Sequence, residues 1–272
     1  MKWFLFEKYA LYFELALAVM LVLDLYLIWR HFKSKREDLI ELLSRILGSN
    51  FFGFYLFYRI IWKINDSIHY PHRQIWTGWL QWIIIVIPFA IFFWSYLYRA
   101  PARGVANRMR EIVFPLFCSL IPFVIYESSS WIYGGWIQQT PELRSLFRPF
   151  YPGGYGIYDK TAYIFILIGD VITLWGIFYL KRSFSIMTEV RVWVTTGPYQ
   201  WIRHPLYCGE IISTIGFCFL KFSYFNIFLT FLFIFCIALR ARYEEEKIIQ
   251  FYPEYETYRK KVGFLFPKGK AS

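Results

Sequence analysis

The sequence predicts an all-α fold, a polytopic membrane helix bundle with about seven transmembrane helices. Three observations predict it. Hydrophobic residues fill 57% of the 272 positions and charged residues only 18%, too few polar groups to cover a water-soluble domain of this length. The apolar residues come in blocks, several of them about 20 residues long, enough for a helix to cross a hydrocarbon core of about 30 Å. The basic residues between the blocks are unevenly distributed, as the orientation of membrane proteins requires.

The candidate spans are 9–29, 43–62, 75–98, 111–133, 161–180, 206–220 and 224–239. The first is too long for a cleaved signal peptide, contains Glu14 and Asp24, and is followed by no small-residue cleavage site. The second carries Arg45 and Arg59. These lie 14 residues apart, on nearly one helix face, and are expected to turn inward toward the acidic residues of the first span. The last two spans are short and adjacent, and read as a helical hairpin turned by Lys221, Ser223 and Asn226.

With seven spans, the loops 30–36, 99–110 and 181–203 and the tail from 240 fall on one side and hold 20 Lys and Arg, against 8 on the other. The basic side is the cytoplasmic one. The expectation is a multi-pass integral membrane protein with its N-terminus outside and its C-terminal tail in the cytosol. The loop 134–160 then faces outward; its Gly- and aromatic-rich stretch Tyr151 to Gly156 lacks the flanking elements of a phosphate-binding loop and reads as an interfacial turn.

The net charge of +11 would suggest nucleic acid in a soluble protein. Here the basic residues flank apolar blocks, which suits anionic lipid headgroups, so the expected partners are membrane lipids and not nucleic acid. Cys118, Cys208, Cys218 and Cys236 form no CxxC pair, and His69 and His72 are an isolated pair beside Pro71, so no metal site is expected.

Chemistry concentrates in residues 181–267. The turn signal Gly197-Pro198 is followed by Tyr199, Arg203, His204 and Tyr207, and Pro205 suits the first turn of a helix with His204 near its N-cap. The positive end of that helix is a natural place for a carboxylate. The hairpin returns the chain to the same surface, where Arg240 and Glu244 share a helix face at i, i+4. The two clusters, about 40 residues apart in sequence, can therefore meet. The plain alternative is an anchored helix boundary followed by a solvated charged face.

The segment Gly197-Pro198-Tyr199 through Arg203-His204-Pro205-Leu206-Tyr207-Cys208-Gly209, followed by the hairpin, the Glu244–Glu246 run and an aromatic tail, resembles the isoprenylcysteine carboxyl methyltransferase family. Related membrane phospholipid methyltransferases share parts of it. The resemblance covers roughly the last third of the chain. It implies a C-terminal cytosolic cap that encloses S-adenosylmethionine. The cofactor contacts it implies are Phe184, Arg191, Val192, Trp193, Val194, Tyr199, His204, Pro205, Leu206, Tyr207 and either Glu244 or Glu245. Arg240 is the implied catalytic residue, holding the substrate. Residues 151–272 then form the methyltransferase-like region, and 1–150 are membrane helices of unassigned role.

The residue types suit the reaction. Methyl transfer from a sulfonium requires in-line alignment and exclusion of water. A carboxylate nucleophile is already ionised, and an arginine can hold it. Aromatic rings suit the sulfonium cation. No dinucleotide-type glycine fingerprint is present. The expected function is O-methylation of a carboxylate on a lipidated or lipophilic substrate. The alternatives are a lipid amine or small thiol as acceptor, or a non-catalytic membrane binding or transport protein.

Overall fold

The computed structural model describes residues 2–34, 39–69, 76–100, 102–132, 140–180 and 183–268. His72, Lys181 and Arg182 and the loop residues 133–139 lie outside the described residues. Among the described residues the fold is all-α, in the order α1 (Lys2–Ser34), α2 (Leu39–His69), α3 (Trp76–Tyr98), α4 (Met109–Ile132), α5 (Pro141–Phe147), α6 (Tyr155–Leu180), α7 (Pro205–Leu220), α8 (Tyr224–Phe251) and α9 (Tyr255–Lys261). Each predicted span falls on one of the longer helices.

Among the described residues, four stretches are long and apolar enough to cross a membrane: Tyr12–Lys33, Met109–Tyr126, Tyr155–Leu180 and Tyr224–Phe251. They make this an integral membrane protein. The other three candidates differ from these in length, charge or the residues described. Helix α7 has 16 residues and so extends only about 24 Å at 1.5 Å per residue. Helix α2 carries Glu41, Arg45, Arg59 and Lys63. Helix α3 runs 23 residues without a charged side chain and holds Pro88 in its interior.

The chain forms two compact units, Met1–Ala102 and Arg103–Ser272. In the first, Leu27, Leu42 and Leu97 of α1, α2 and α3 cluster with Ile28, Ile46 and Phe93. Arg45 and Arg59 are buried at 1% and 6% exposure, so both turn inward as expected. Asp24 accepts from the Asn50 side chain at 2.9 Å. Arg45 donates to the carbonyls of Leu97 and Arg99 at 3.1 and 3.2 Å. Arg99 reaches back to the Glu41 carbonyl and the Ser44 hydroxyl, and Glu41 accepts from the Ala102 amide. Glu14 is exposed on α1. The end of a helix leaves carbonyls without partners. The carbonyls at the end of α3 take up two of the Arg45 donors.

The second unit is organised by a close pairing of α6 and α7. Gly169, Thr173 and Gly176 of α6 face Leu206, Gly209 and Ser213 of α7; further along, Ala162 and Ile166 face Gly216. A Cβ on Gly209 would run into Thr173 and the Gly169 carbonyl, and one on Gly169 into Ser213. Small residues let helix backbones approach where no water-driven force operates between them. Mid-seam, the Ser213 hydroxyl donates to Asp170 at 2.7 Å. The hairpin turns as expected. Lys221 caps α7, Ser223 caps α8 by accepting from the Asn226 amide, and the Asn226 side chain donates to Lys221 O and Ser128 Oγ. Helix α8 then continues past its apolar half and brings Arg240, Glu244 and Lys247 to the surface region where α7 begins.

Candidate active site

Three segments are brought together at the start of α7. The first is the irregular stretch 183–196. It is held along α8 by three side-chain donors on one helix and its extension: Arg240 donates to Ile186 O at 2.5 Å, Lys247 to Thr188 O at 3.0 Å, and Tyr252 to Arg191 O at 3.0 Å. Lys247 also pairs with Glu111 of α4 at 2.7 Å and donates to Val105 O. Backbone hydrogen bonds between Gly104 and Val190 complete this wall.

The second segment is the turn 197–200. Gly197 has φ of 63° and lies against the Tyr179 ring, where a Cβ would overlap it, so both conformation and space call for glycine. His204 is the N-cap of α7 and Pro205 stands in its first turn. The third segment is the tail. The amides of Arg203 and His204 donate to the carbonyls of Gly263 and Phe264 at 2.8 and 3.2 Å, and the Tyr258 hydroxyl donates to Tyr199 O. Burial pushes the hydroxyls of Tyr199, Tyr255 and Tyr258 above the usual phenol range, so they are neutral at physiological pH.

These segments enclose a cavity. Of the residues singled out in the sequence, Phe184, Arg191, Val192, Trp193, Val194, Tyr199, His204, Leu206, Tyr207, Arg240 and Glu244 line it. Pro205 and Glu245 do not. Pro205 starts the helix. Glu245 lies behind the wall, 4% exposed, hydrogen-bonded to His204 Nε2 at 2.9 Å and ion-paired with Arg203 at 3.2 Å. The paired glutamates thus have different surroundings. Glu244 faces the cavity, 3.3 Å from Arg240 Nε, and accepts the Tyr207 hydroxyl; Glu245 binds the turn to α8.

Sequence reading passed over several lining residues. Ser183, Ser185, Met187, Glu189 and Val190 line the same wall, and Tyr255 and Tyr258 come in from α9. Glu189 receives Arg191 and the Ser185 hydroxyl, each at 2.7 Å. The spacing of Glu189 and Arg191 was the available signal. Trp193 stands against Tyr255 and Tyr258 with ring centroids 5.5 Å apart in each case, and its indole N–H is buried without a hydrogen-bond partner. Arg240 is fully engaged: Nε on Glu244, one terminal nitrogen near Ser119 Oγ at 3.4 Å, the other on Ile186 O. No group able to hold a metal ion is found among the described residues.

The arrangement can bind an elongated molecule with both charged and aromatic parts. It offers a tyrosine and tryptophan cluster, two carboxylates, three arginines and the N-terminus of α7. No curated protein matches the chain. The motif resemblance is borne out over residues 162–250, from α6 through nearly all of α8: they match the model of the Isoprenylcysteine carboxyl methyltransferase (ICMT) family, so this stretch of an integral membrane protein is a methyltransferase-family region.

Proposed function

We propose that the protein transfers a methyl group from S-adenosylmethionine to a lipophilic acceptor at the cytosolic face of the membrane. One observation carries this reading: the cavity stands at the ends of apolar helices α6, α7 and α8, with polar and aromatic side chains gathered on residues far apart in sequence. The lining fits the cofactor. Trp193 has a buried, unpartnered N–H, its ring and those of Tyr255 and Tyr258 give a face for a cation, and Glu189 and Glu244 offer acceptors for an amine or ribose hydroxyls. S-adenosylmethionine, when bound, supplies an electrophilic methyl on a sulfonium.

The chain's own residues do the rest. The wall 183–194 excludes water, and the Tyr207–Glu244–Arg240 group positions the reacting end. The family resemblance implies a carboxylate acceptor with Arg240 as its partner. A second reading, a proton-bearing acceptor such as a lipid amine, is favoured by the engagement of all three Arg240 nitrogens.

Titration of S-adenosylmethionine into the purified chain, beside transfer of a labelled methyl group into lipid extracts, tests the proposal. Saturable binding with label in a lipid product is the expected result. Absence of binding would leave the binding or transport alternative.

A further inference from the structure

A second depression lies behind the cavity wall, between α8, α9 and the tail. Glu245, which does not line the cavity, lines this groove, and Arg203 lines both. The tail makes its outer side. The amides of Arg203 and His204 donate to the carbonyls of Gly263 and Phe264, and Lys268 Nζ donates to Lys260 O at 2.6 Å, so residues 263–268 fold back along α9. Arg203 forms the floor. Its side chain is 10% exposed, donates to Arg259 O at 2.8 Å and lies over the Phe264 ring at 5.4 Å. Around this floor Arg242, Lys260 and Lys268 are exposed.

The groove is positive however its charges pair, because five basic side chains line it against three acidic ones. Arg203 meets Glu245 at 3.2 Å and Arg259 meets Glu256 at 2.9 Å. Of the other charged lining residues, Arg242, Lys260 and Lys268 are basic and Glu246 is acidic. Lys261 follows Lys260 in the last turn of α9, and the chain beyond the described residues adds Lys270, of the same sign.

The groove also stands where membrane helices end. Arg203 precedes α7 by two residues, and Arg242 follows the apolar half of α8. Trp201, 54% exposed, has its ring 5.6 Å from that of Trp175 on the membrane helix α6. Phe266, 77% exposed, is two residues from Lys268. Exposed aromatic rings among basic residues are the composition of a segment lying in a bilayer interface. A soluble anion would leave Phe266 in water, whereas a lipid uses the cations and the ring together. A choline or ethanolamine headgroup brings its own ammonium against these cations; a headgroup without an ammonium does not.

We propose that this groove binds the headgroup phosphate of an anionic phospholipid, with Arg242, Lys260 and Lys268 around the phosphate and Phe266 in the interface beside it. The bound lipid seats α9, and with it the cavity-lining Tyr255 and Tyr258, on the membrane surface. The inference does not depend on the methyltransferase reading.

The test uses the full chain in phosphatidylcholine nanodiscs that carry a low fraction of photoactivatable phosphatidic acid or, in a matched sample, photoactivatable phosphatidylcholine. Adducts are mapped by peptide mass spectrometry. The expected result is phosphatidic acid adducts concentrated on residues 256–268, with few from phosphatidylcholine. Lys260→Gln and Lys268→Gln should each weaken phosphatidic acid about fivefold in competition with the unlabelled lipid, the weight of one basic residue at an anionic surface. Equal labelling by the two lipids overturns the inference. So do adducts spread evenly between 256–268 and the basic loop 103–110, which would mark a diffuse charged surface. Labelling abolished by inorganic phosphate would assign the groove to a soluble phosphate and overturn it as well. The wild-type comparison of the two lipids decides the matter even if a variant does not fold.

Discussion

The Tyr207 hydroxyl donates a hydrogen bond to Glu244, and the ring of the same tyrosine lies under the Arg240 guanidinium, 5.0 Å from centroid to Cζ. One side chain of α7 thus touches both charged residues of α8 that face the cavity. Tyr207→Phe keeps the ring and removes the donor. It should retain fold and Arg240 packing while lowering methyl-transfer turnover by about tenfold, the worth of a hydrogen bond to a charged group. Near-infrared or chemical denaturation profiles unchanged from wild type, beside reduced turnover, are the expected pair of results.

Glu244 and Glu245 should separate by the property they change. Glu244→Gln should weaken S-adenosylmethionine binding by about 10- to 150-fold with little loss of stability. Glu245→Ala leaves Arg203 and His204 facing an emptied buried site. It should cost about 3–5 kcal/mol of stability. Isothermal titration beside thermal unfolding in detergent distinguishes the two. Equal effects of both variants on both measurements would refute the division.

Arg240→Lys should not restore activity. A lysine cannot reach Glu244, Ser119 and Ile186 O at once, because it lacks the planar fork. Turnover is expected to fall at least about tenfold. Limited proteolysis should cut faster within 183–196, since one of the three side-chain donors holding that wall is lost. Full activity in the lysine variant would show that only the charge matters.

Lys247→Met tests the wall from its other end. It leaves Glu111 without its cation and the carbonyls of Val105 and Thr188 without a donor. Breaking a buried pair from one side costs about 3–5 kcal/mol. The double variant Lys247→Met with Glu111→Leu should recover part of that loss, and a thermal unfolding cycle over the four proteins measures it.

Gly209→Ala should destabilise by about 1–3 kcal/mol, the cost of overpacking, because the new methyl meets Thr173 and the backbone of Gly169 and the helices must part. Gly156→Ala, with nothing within 4 Å of the added carbon, is the control and should lose no stability. Unfolding midpoints in one detergent compare them directly.

Much of the fold was legible because a bilayer imposes it. A helix that must cross an apolar core needs a long apolar block, so the helices α1 to α4 and α6 to α8 could be placed from composition alone, and the His204-Pro205 start of α7 and the Ser223 cap of α8 from local chemistry. The Arg240–Glu244 pair followed from helical spacing. Other features depended on partners far away in the chain. The sequence does not say that Glu244 faces a cavity while its neighbour Glu245 is buried against Arg203 and His204, because adjacent helix positions differ by about 100° of rotation and only packing chooses which points inward. Nor does it say that Arg45 reaches the end of α3, or that Tyr255 and Tyr258 join Trp193, since those contacts form only when separate helices meet. The sequence by itself determined an apolar helical protein and the residue types of its chemistry; tertiary packing decided which of those residues face one another.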